Sequence, residues 1–493
     1  MGRAVFLLES EWFLDALRLL EALPDWLQSS SLKSAFEACI PEVASGLISL
    51  RKVRPKRLHH EDGARAVTFK LVVEDPAGAR IELQLVGVLR PADAADARAA
   101  RAGIGFGDPD WKCAVPELGL VLEAPPQDAA LPAEPILTDA VRARALLQAA
   151  IRSSAPDYAD LRIERCEPKV ARFKPGSRCT VVYRLEYPPG ASGRGWPERV
   201  VAKTRAGEGC RAAYERMSAL WASPLRSSSA VTIAEPLGLV PEPDVMVQRA
   251  VPGDSTFLDS LESALFRDTL SRDDLDRLGR WLGASARGLA AFHASGANLP
   301  AYGWANELAE VRTRVARLSD WVPGLDAALS AALEGIEGLA GEHPPGGVVT
   351  CHGSFRPGQI VLDGDRIAFI DTDGCCTAEP AMDLALFLTS MRTNIIGSGD
   401  GEERAAASPA WRSVVLDELD ALGDRFLDEY ERLAPVARVR VQLWETLYLL
   451  QHVLNTWEKI RPEQLAGSEV LLERHLRRSR LLFGHERALR ART

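Results

Sequence analysis

Residues 351–388 read CHGSFRPGQIVLDGDRIAFIDTDGCCTAEPAMDLALFL, and their reading decides the fold. Ile360-Val361-Leu362 and Ile367-Ala368-Phe369-Ile370 are two apolar runs around the turn residues Asp363-Gly364-Asp365, the pattern of a β-hairpin. His352 to Gln359 is then a loop entering the hairpin, and Asp371 stands where the hairpin ends, so the two polar segments are brought together. A carboxylate displayed at a strand end, opposite a second polar loop, is how a protein presents oxygen to a hard cation such as Mg2+. An ordinary turn role for Asp371 and Asp373 stands beside that reading, because Asp-x-Asp-Gly favours turns on its own.

Upstream of this stretch the pattern alternates between strands and helices. Val67, Phe69 and Leu71 alternate with polar residues, Asp75 to Gly78 reads as a turn, and Ile81, Leu83 and Leu85 alternate again, which predicts a hairpin. Phe13, Ala16, Leu17 and Leu20 sit at helical spacing before it, Ala92–Ala102 is an Ala-rich helix candidate after it, and Gly119–Glu123 is a further strand. Pro125, Pro126, Pro132 and Pro135 form linker chemistry. A helix over Asp139–Arg152 then leads to strands at Cys166–Phe173, Cys179–Tyr187 and Glu198–Thr204, a helix at Glu208–Trp221 and a strand at Asp244–Ala250. Beyond Pro252-Gly253 the chain is mostly helical outside Val348–Asp371.

The two strand-rich stretches resemble each other. Pro55-Lys56 and Gly63-x-Arg65 recur as Pro168-Lys169 and Gly176-x-Arg178 at an offset of 113. The apolar alternation behind them slips by one residue, Val67, Phe69 and Leu71 against Val181, Tyr183 and Leu185, as a longer turn or a bulge would cause. Leu120–Asp128 parallels Met246–Asp254 at an offset of 126. These matches predict an internal duplication, in which the first copy carries Leu85-Val86-Gly87-Val88 where the second has Val200-Val201-Ala202-Lys203.

The segment from His352 to Leu384 resembles the aminoglycoside phosphotransferase and choline kinase branch of the protein-kinase-like fold, in which a loop H-G-D-x-x-P-x-N precedes such a hairpin and an I-D motif follows. The resemblance spans roughly residues 155–480. It implies that Val200-Val201-Ala202-Lys203 is the third-strand element whose ammonium pairs with ATP phosphates, with Glu215 on the following helix holding that lysine. Lys174-Pro175-Gly176-Ser177-Arg178 takes the place of the loop over the phosphates, with Lys174, Ser177 and Arg178 as contacts. Gln248-Arg249-Ala250 would be the hinge meeting adenine, Asp371 and Gln359 would hold Mg2+, and Asp383 of Glu379-Pro380-Ala381-Met382-Asp383-Leu384 would brace the catalytic loop. The implied activity is ATP- and Mg2+-dependent phosphoryl transfer to a small hydroxylated molecule.

Two departures bear on that activity. Ser354 replaces the loop Asp and Gln359 replaces the metal-binding Asn. A serine cannot take the substrate's proton as an anion, and a positioned general base contributes about 10² to 10⁴ in rate, less than alignment and charge stabilisation supply. Asp373 and Glu379 are the candidates to take over the proton, beside Ser354 itself as the altered loop residue. The alternative is a nucleotide-binding pseudokinase or scaffold, and a third reading is transfer of AMP. His352 is expected to be architectural. Ser354 as a nucleophile with His352 as its base is disfavoured, because residues two apart in a loop seldom face one another and no G-x-S-x-G elbow surrounds them. Gly103–Gly107 and Gly397–Gly401 lack the G-x-G-x-x-G order of dinucleotide loops and read as flexible turns.

Composition sets the outer bounds. The 493 residues carry 59 Lys and Arg against 68 Asp and Glu, a formal charge of -9, so no global positive field exists to hold nucleic acid or an acidic membrane, while a basic local pocket is still allowed. No apolar run approaches the roughly 18 residues of a membrane span. Val5–Leu8 is followed by Glu9 and Glu11, unlike a signal-peptide core, and a cytoplasmic chain is expected. Eight cysteines without a Cys-x-x-Cys pair read as buried thiols, with Cys375-Cys376 as the one candidate redox pair.

The expectation is therefore an α+β, protein-kinase-like two-lobe fold preceded by an extra α+β domain, a candidate degenerate duplicate of the amino-terminal lobe. The linear boundaries are residues 1–135, 136–253 for the lobe with the antiparallel sheet, and 254–493 for the helical lobe with the catalytic loop. The extra domain lacks the lysine, and its expected use is packing, by docking within the chain or in a homodimer. Acceptor specificity would lie around residues 300–340 and in Trp411–Leu482, where Trp444, Tyr448 and Trp457 are read as core rather than pocket.

Overall fold

The computed structural model describes residues 27, 29–61, 63–89, 111–124, 131–174, 176–191, 193–207, 209–267, 271–461 and 464–490. The helices expected at Phe13–Leu20 and Ala92–Ala102, the stretch Gly103–Gly107 and the pair Pro125-Pro126 lie outside the described residues. Two compact units emerge, one of Met1–Gln127, Ala305–Glu342 and Leu449–Thr493, the other of Asp128–Trp304 and His343–Tyr448. This division cuts across the linear one, because chain beyond residue 304 contributes to both units.

In the first unit, helix α1 (Ser29–Cys39) precedes strands β1 (Ser49–Glu61), β2 (Ala64–Glu74), β3 (Arg80–Leu89), β4 (Lys112–Val115) and β5 (Leu120–Glu123). They form one antiparallel sheet in the order β1-β2-β3-β5-β4. Leu32, Ala35 and Phe36 on one side of α1 are buried, and the Phe36 ring meets Phe69 of β2 edge-on at 5.1 Å. Gly87 leaves room for that ring, since a Cβ there would stand 2.7 Å from Phe69. The other face carries Ala66, Val86 and Val88, also buried. Strand β1 is tied to later chain of the same unit. Arg57 pairs with Glu458, His60 Nε2 lies 2.8 Å from Asp320 Oδ2, and Arg65 donates to the Asp320 carbonyl at 2.9 Å while standing over the Trp321 ring.

The second unit repeats this order of elements. Helix α2 (Ala140–Ser154), capped by the Asp139 carboxylate accepting from the Val141 and Arg142 amides, precedes β6 (Arg165–Lys174), β7 (Arg178–Glu186) and β8 (Arg199–Arg205). Helix α3 (Gly209–Trp221), the short β9 (Thr232–Ile233), β10 (Pro236–Val240) and β11 (Val245–Arg249) follow. The sheet runs β10-β11-β8-β7-β6, the mirror listing of the first sheet's order. Its core face sets Val181, Tyr183, Val200, Ala202 and Val247 against Leu147 and Ile151 of α2. By strand alternation Lys203, Met246 and Gln248 face the other way, where α3 covers Met246 with Cys210, Ala213 and Met217.

Cross-strand pairs fix how the two sheets correspond. Pro55 pairs with Phe69 as Pro168 pairs with Tyr183, and Val67 pairs with Gly87 as Val181 pairs with Ala202. The one-residue slip has its source in the turn: Glu61 pairs with Ala64, whereas Lys174 pairs with Arg178, one residue farther along. Gly87 pairs with Leu122 and Ala202 with Val247, so the offset of 126 expected for the last strand is corrected to 125, which keeps core-facing residues matched. Val88 thus occupies the place of Lys203.

The helical part opens with β12 (Ser255–Thr256) and α4 (Phe257–Leu265), started by a Thr256/Asp259 capping box, and continues with α5 (Arg272–His293). Strand β13 (Val349–Cys351), the expected hairpin β14 (Ile360–Asp363) and β15 (Arg366–Phe369), and β16 (Cys376–Ala378) lead to α6 (Ala381–Ile396) and α7 (Pro409–Glu431). Gly397–Gly401 is not a flexible turn. Ser398 caps a helix there by accepting from the Gly401 amide at 3.0 Å. Trp444, Tyr448 and Trp457 are buried, in keeping with a core role. Among the described residues no helix is long and apolar enough to cross a membrane.

Candidate active site

The His352–Gln359 loop is shaped by close backbone approach. Gly353 adopts φ +74°, and a Cβ there would lie 2.2 Å from the Gly374 carbonyl, so the loop and the segment after Asp371 meet only because residue 353 lacks a side chain. Asp383 at the start of α6 is wholly buried and accepts from the His352 amide at 2.6 Å and the Gly353 amide at 2.9 Å. His293 Nε2 stands 3.2 Å from the same carboxylate, and its Nδ1 lies 2.7 Å from the Tyr430 hydroxyl. His293, Cys351 and Asp383 cluster closely enough to suggest a metal site, but Asp383 is taken up by the loop amides and the Cys351 thiol donates to the Ala378 and Glu379 carbonyls. The cluster is a brace for the loop.

His352 Nε2 donates to the Ile370 carbonyl at 3.0 Å, which leaves Nδ1 as an acceptor 3.3 Å from Ser354 Oγ. The two residues do face one another, contrary to the expectation for a pair two apart. Burial holds the His352 pKa below its usual value, against the opposing pull of Asp383 and Asp371, so the ring is neutral and architectural. The Ser354 hydroxyl also lies 3.3 Å from the Asp371 carbonyl and 3.4 Å from Gln359 Nε2, so its polar contacts are made within the loop region.

Asp371 follows β15 with φ +63° and ψ +44°, a left-handed conformation uncommon for a residue with a side chain. Its Oδ1 accepts from Lys203 Nζ at 2.9 Å. Burial pushes the Asp371 pKa up, but the Lys203 ammonium, helped by Arg205, outweighs that and holds the carboxyl well below the usual range. Lys203 also donates at 3.0 Å to both oxygens of Asp373, which is buried and is paired a second time with Arg205. Arg216 of α3 donates to the Asp373 carbonyl at 2.9 Å.

A cavity of about 520 Å³ opens beside this pair. Lys203, Arg172, Arg178, Arg199, Arg205 and Arg356 line it, against a single lining carboxylate, Asp371. Such a wall suits a polyanion even though the chain is acidic overall. Burial, together with Arg172 next to it, lowers the Arg178 pKa. Val182, Val201, Gln248, Ala250, Val251 and Ile370 supply another part of the lining.

Several expected residues stand elsewhere. Glu215 is exposed: α3 buries Cys210, Ala213, Met217 and Leu220, and residue 215 falls on the opposite side, so Lys203 is held by Asp371 and Asp373 instead. Glu379 is buried against Arg440, 2.8 Å from its Nε, and is removed as a proton acceptor. Asp373 is likewise engaged by two cations. Lys174 and Ser177 do not line the cavity, whereas Arg178 does. The Ala250 amide expected at the hinge donates to the Arg199 carbonyl at 3.0 Å, while Val251, next in the chain and lining the cavity, makes no hydrogen bond among the described residues. None of the eight cysteines is in a disulfide, and complete burial pushes the Cys375 thiol well above its usual pKa, which disfavours the thiolate that a redox pair needs. Sequence reasoning missed Arg205, although it lies two residues beyond Lys203 on an alternating strand and so shares its face. It also missed Arg216, one step round the helix from Glu215.

No curated protein matches this chain. Similar solved structures include a glucosamine kinase in complex with glucosamine, ADP and inorganic phosphate (17% identity, 92% of this chain and 99% of that one, TM-score 0.43). A thermostable mutant of an aminoglycoside phosphotransferase (14%, 64% and 94%, 0.42) and a choline kinase from Cryptosporidium parvum Iowa II (10%, 69% and 97%, 0.45) are also similar. The sequence model described as the phosphotransferase enzyme family matches residues 208–436, which take in α3, Gln248-Arg249-Ala250, the His352–Gln359 loop, Asp371 and Asp383. This part of the chain, residues 208–436, is thus similar to the phosphotransferase enzyme family.

Proposed function

We propose that the protein is an ATP- and Mg2+-dependent phosphotransferase that moves the terminal phosphoryl group of ATP to a hydroxyl of a small molecule. The observation that carries this reading is the Lys203–Asp371 pair, 2.9 Å apart, on the wall of a cavity with six cationic side chains. Lys203, Arg178 and Arg205 would hold the phosphates by charge-assisted hydrogen bonds. The metal's ligands would be Asp371 and Gln359. Gln359 Oε1 is buried without a hydrogen-bond partner and Asp371 is an ionised carboxylate, a hard oxygen set that fits Mg2+. When bound, the ion offsets charge on the phosphate oxygens.

In the transfer, the bond from the terminal phosphorus to its bridging oxygen breaks as the acceptor oxygen bonds to phosphorus, and the hydroxyl proton leaves to water. Among the described residues, neither of the expected carboxylates stands free to take it, since residue 354 is serine and Asp373 and Glu379 are ion-paired. In a loose transition state little depends on early proton removal, so positioning by Lys203 and Asp371 can sustain a reduced rate. The same absence favours a second reading, a nucleotide-binding pseudokinase. Incubation with ATP, Mg2+ and panels of sugars, amino alcohols and aminoglycosides, followed by ADP formation, tests the first reading. Acceptor-dependent ADP that vanishes in Lys203→Ala is expected; ATP binding without ADP from any acceptor selects the pseudokinase, and pyrophosphate release would select AMP transfer.

A further inference from the structure

The cavity carries more positive charge than a nucleotide with its metal calls for. Lys203 and Arg205 are matched by Asp371 and Asp373, and Arg199 by Asp254 at 2.9 Å. Arg172 of β6 and Arg178 of β7 pair with no carboxylate among the described residues, and they remain to meet the ATP charge that Mg2+ leaves unbalanced. Arg356 comes from another element. It lines the cavity from the His352–Gln359 loop, two residues beyond Ser354, and Asn394 of α6 lines the same space. Strands and loop thus each bring cations, while Asp371, engaged by Lys203, is the one carboxylate in the lining. Such a lining repels a cationic acceptor and draws an anionic one. Ser354 acts in the same sense, since an aspartate there would repel an anion and serine brings no charge.

We propose that the acceptor is a hydroxylated phosphate monoester, bound through its phosphate by Arg356 and Asn394. This rests on the reading that the chain transfers phosphoryl groups from ATP. A guanidinium matches phosphate oxygens in a bidentate fork, and a carboxamide N–H donates to them as well. The phosphate also supplies what residue 354 lacks. Its second pKa is about 6, so near neutrality it is a dianion and a better base than a carboxylate. As the acceptor oxygen bonds to the terminal phosphorus and the bond to the bridging oxygen breaks, the hydroxyl proton passes to the acceptor's own phosphate rather than to water. The products are ADP and an acceptor with a second phosphate, the first one now carrying the proton.

ADP formation by the full chain with ATP and Mg2+ tests this on a panel of glycerol, pentose and hexose phosphates, each beside its unphosphorylated parent. Glucosamine serves as a cationic acceptor, and glucose 6-sulfate as an anion that is a far weaker base than glucose 6-phosphate. The phosphate ester is expected to exceed its parent in kcat/KM by about 10-fold or more, and the sulfate to show a lower kcat than the phosphate. Arg356→Gln should raise the KM for the phosphate ester about 10-fold, with a smaller change in the KM for ATP. Turnover of unphosphorylated or cationic acceptors at or above that of the phosphate esters overturns the proposal while leaving the phosphotransferase reading intact, and needs no variant to fold. Equal kcat for sulfate and phosphate overturns it as well, because charge alone would then be read. ATP binding without ADP from any acceptor overturns the phosphotransferase reading itself.

Discussion

Opposite Val121 in the first sheet stands Val88; opposite Met246 in the second stands Lys203. Around these positions the sheets agree in strand order, in the preceding helix and in the Pro55–Phe69 and Pro168–Tyr183 cross-strand pairs. They differ in what the polar positions meet. Arg178 faces a cavity lined by further cations, while Arg65, at the corresponding Gly-x-Arg, is engaged by the Asp320 carbonyl and the Trp321 ring. Val88 is buried in an apolar cluster, whereas Lys203 is buried against two carboxylates. One architecture thus supports either a packed face or a charged one, and the partner of a single strand position decides between them.

The comparison can be broken by exchanging those positions. Val88→Lys buries an ammonium with no carboxylate beside it in its cluster, so chemical denaturation should show a loss of about 3–5 kcal/mol with no gain in nucleotide affinity. Tyr183→Phe gives the second sheet the side chain that Phe69 supplies in the first. It removes a 2.7 Å bond from the buried hydroxyl to the Leu137 carbonyl, and should lower stability by about 1–3 kcal/mol in the same assay. Arg178→Ala should weaken ATP binding about 10-fold, while Arg65→Ala leaves it unchanged; equal effects would end the distinction between the two arginines. The smallest effect is on pH dependence. His352 has a folded pKa below its unfolded value, so its contribution is complete above about pH 6.5 and is lost as pH falls from there toward the folded pKa. His352→Gln should flatten the fall in melting temperature between about pH 6.5 and 5.

Much of the second unit was legible because its strands alternate and its motifs sit at strand ends. The hairpin β14/β15 lies within one residue of where Ile360–Ile370 predicted it, and β6, β7 and β8 follow Cys166, Cys179 and Glu198 closely. Strand β1 was not legible as alternation: it is an edge strand with two register shifts, and its many Lys and Arg side chains break the period. The partner of Lys203 was misread because position in sequence says that Glu215 is on the next helix but not which side of that helix is covered. The buried positions 210, 213, 217 and 220 decide that. The Glu379–Arg440 pair was hidden for another reason: its members are 61 residues apart, and nothing local in either segment announces the other.

In the proposed reaction Lys203 and Asp371 act together on a nucleotide and its metal. The most direct test is the affinity for ATP measured with Mg2+ and with EDTA, on the parent, Lys203→Ala and Asp371→Ala. The parent should bind ATP more tightly with Mg2+, Asp371→Ala should lose that increment, and Lys203→Ala should bind more weakly in both conditions. An Asp371→Ala protein that keeps the full Mg2+ increment, or a parent that binds no ATP, would contradict a joint role of Lys203 and Asp371 at a nucleotide site.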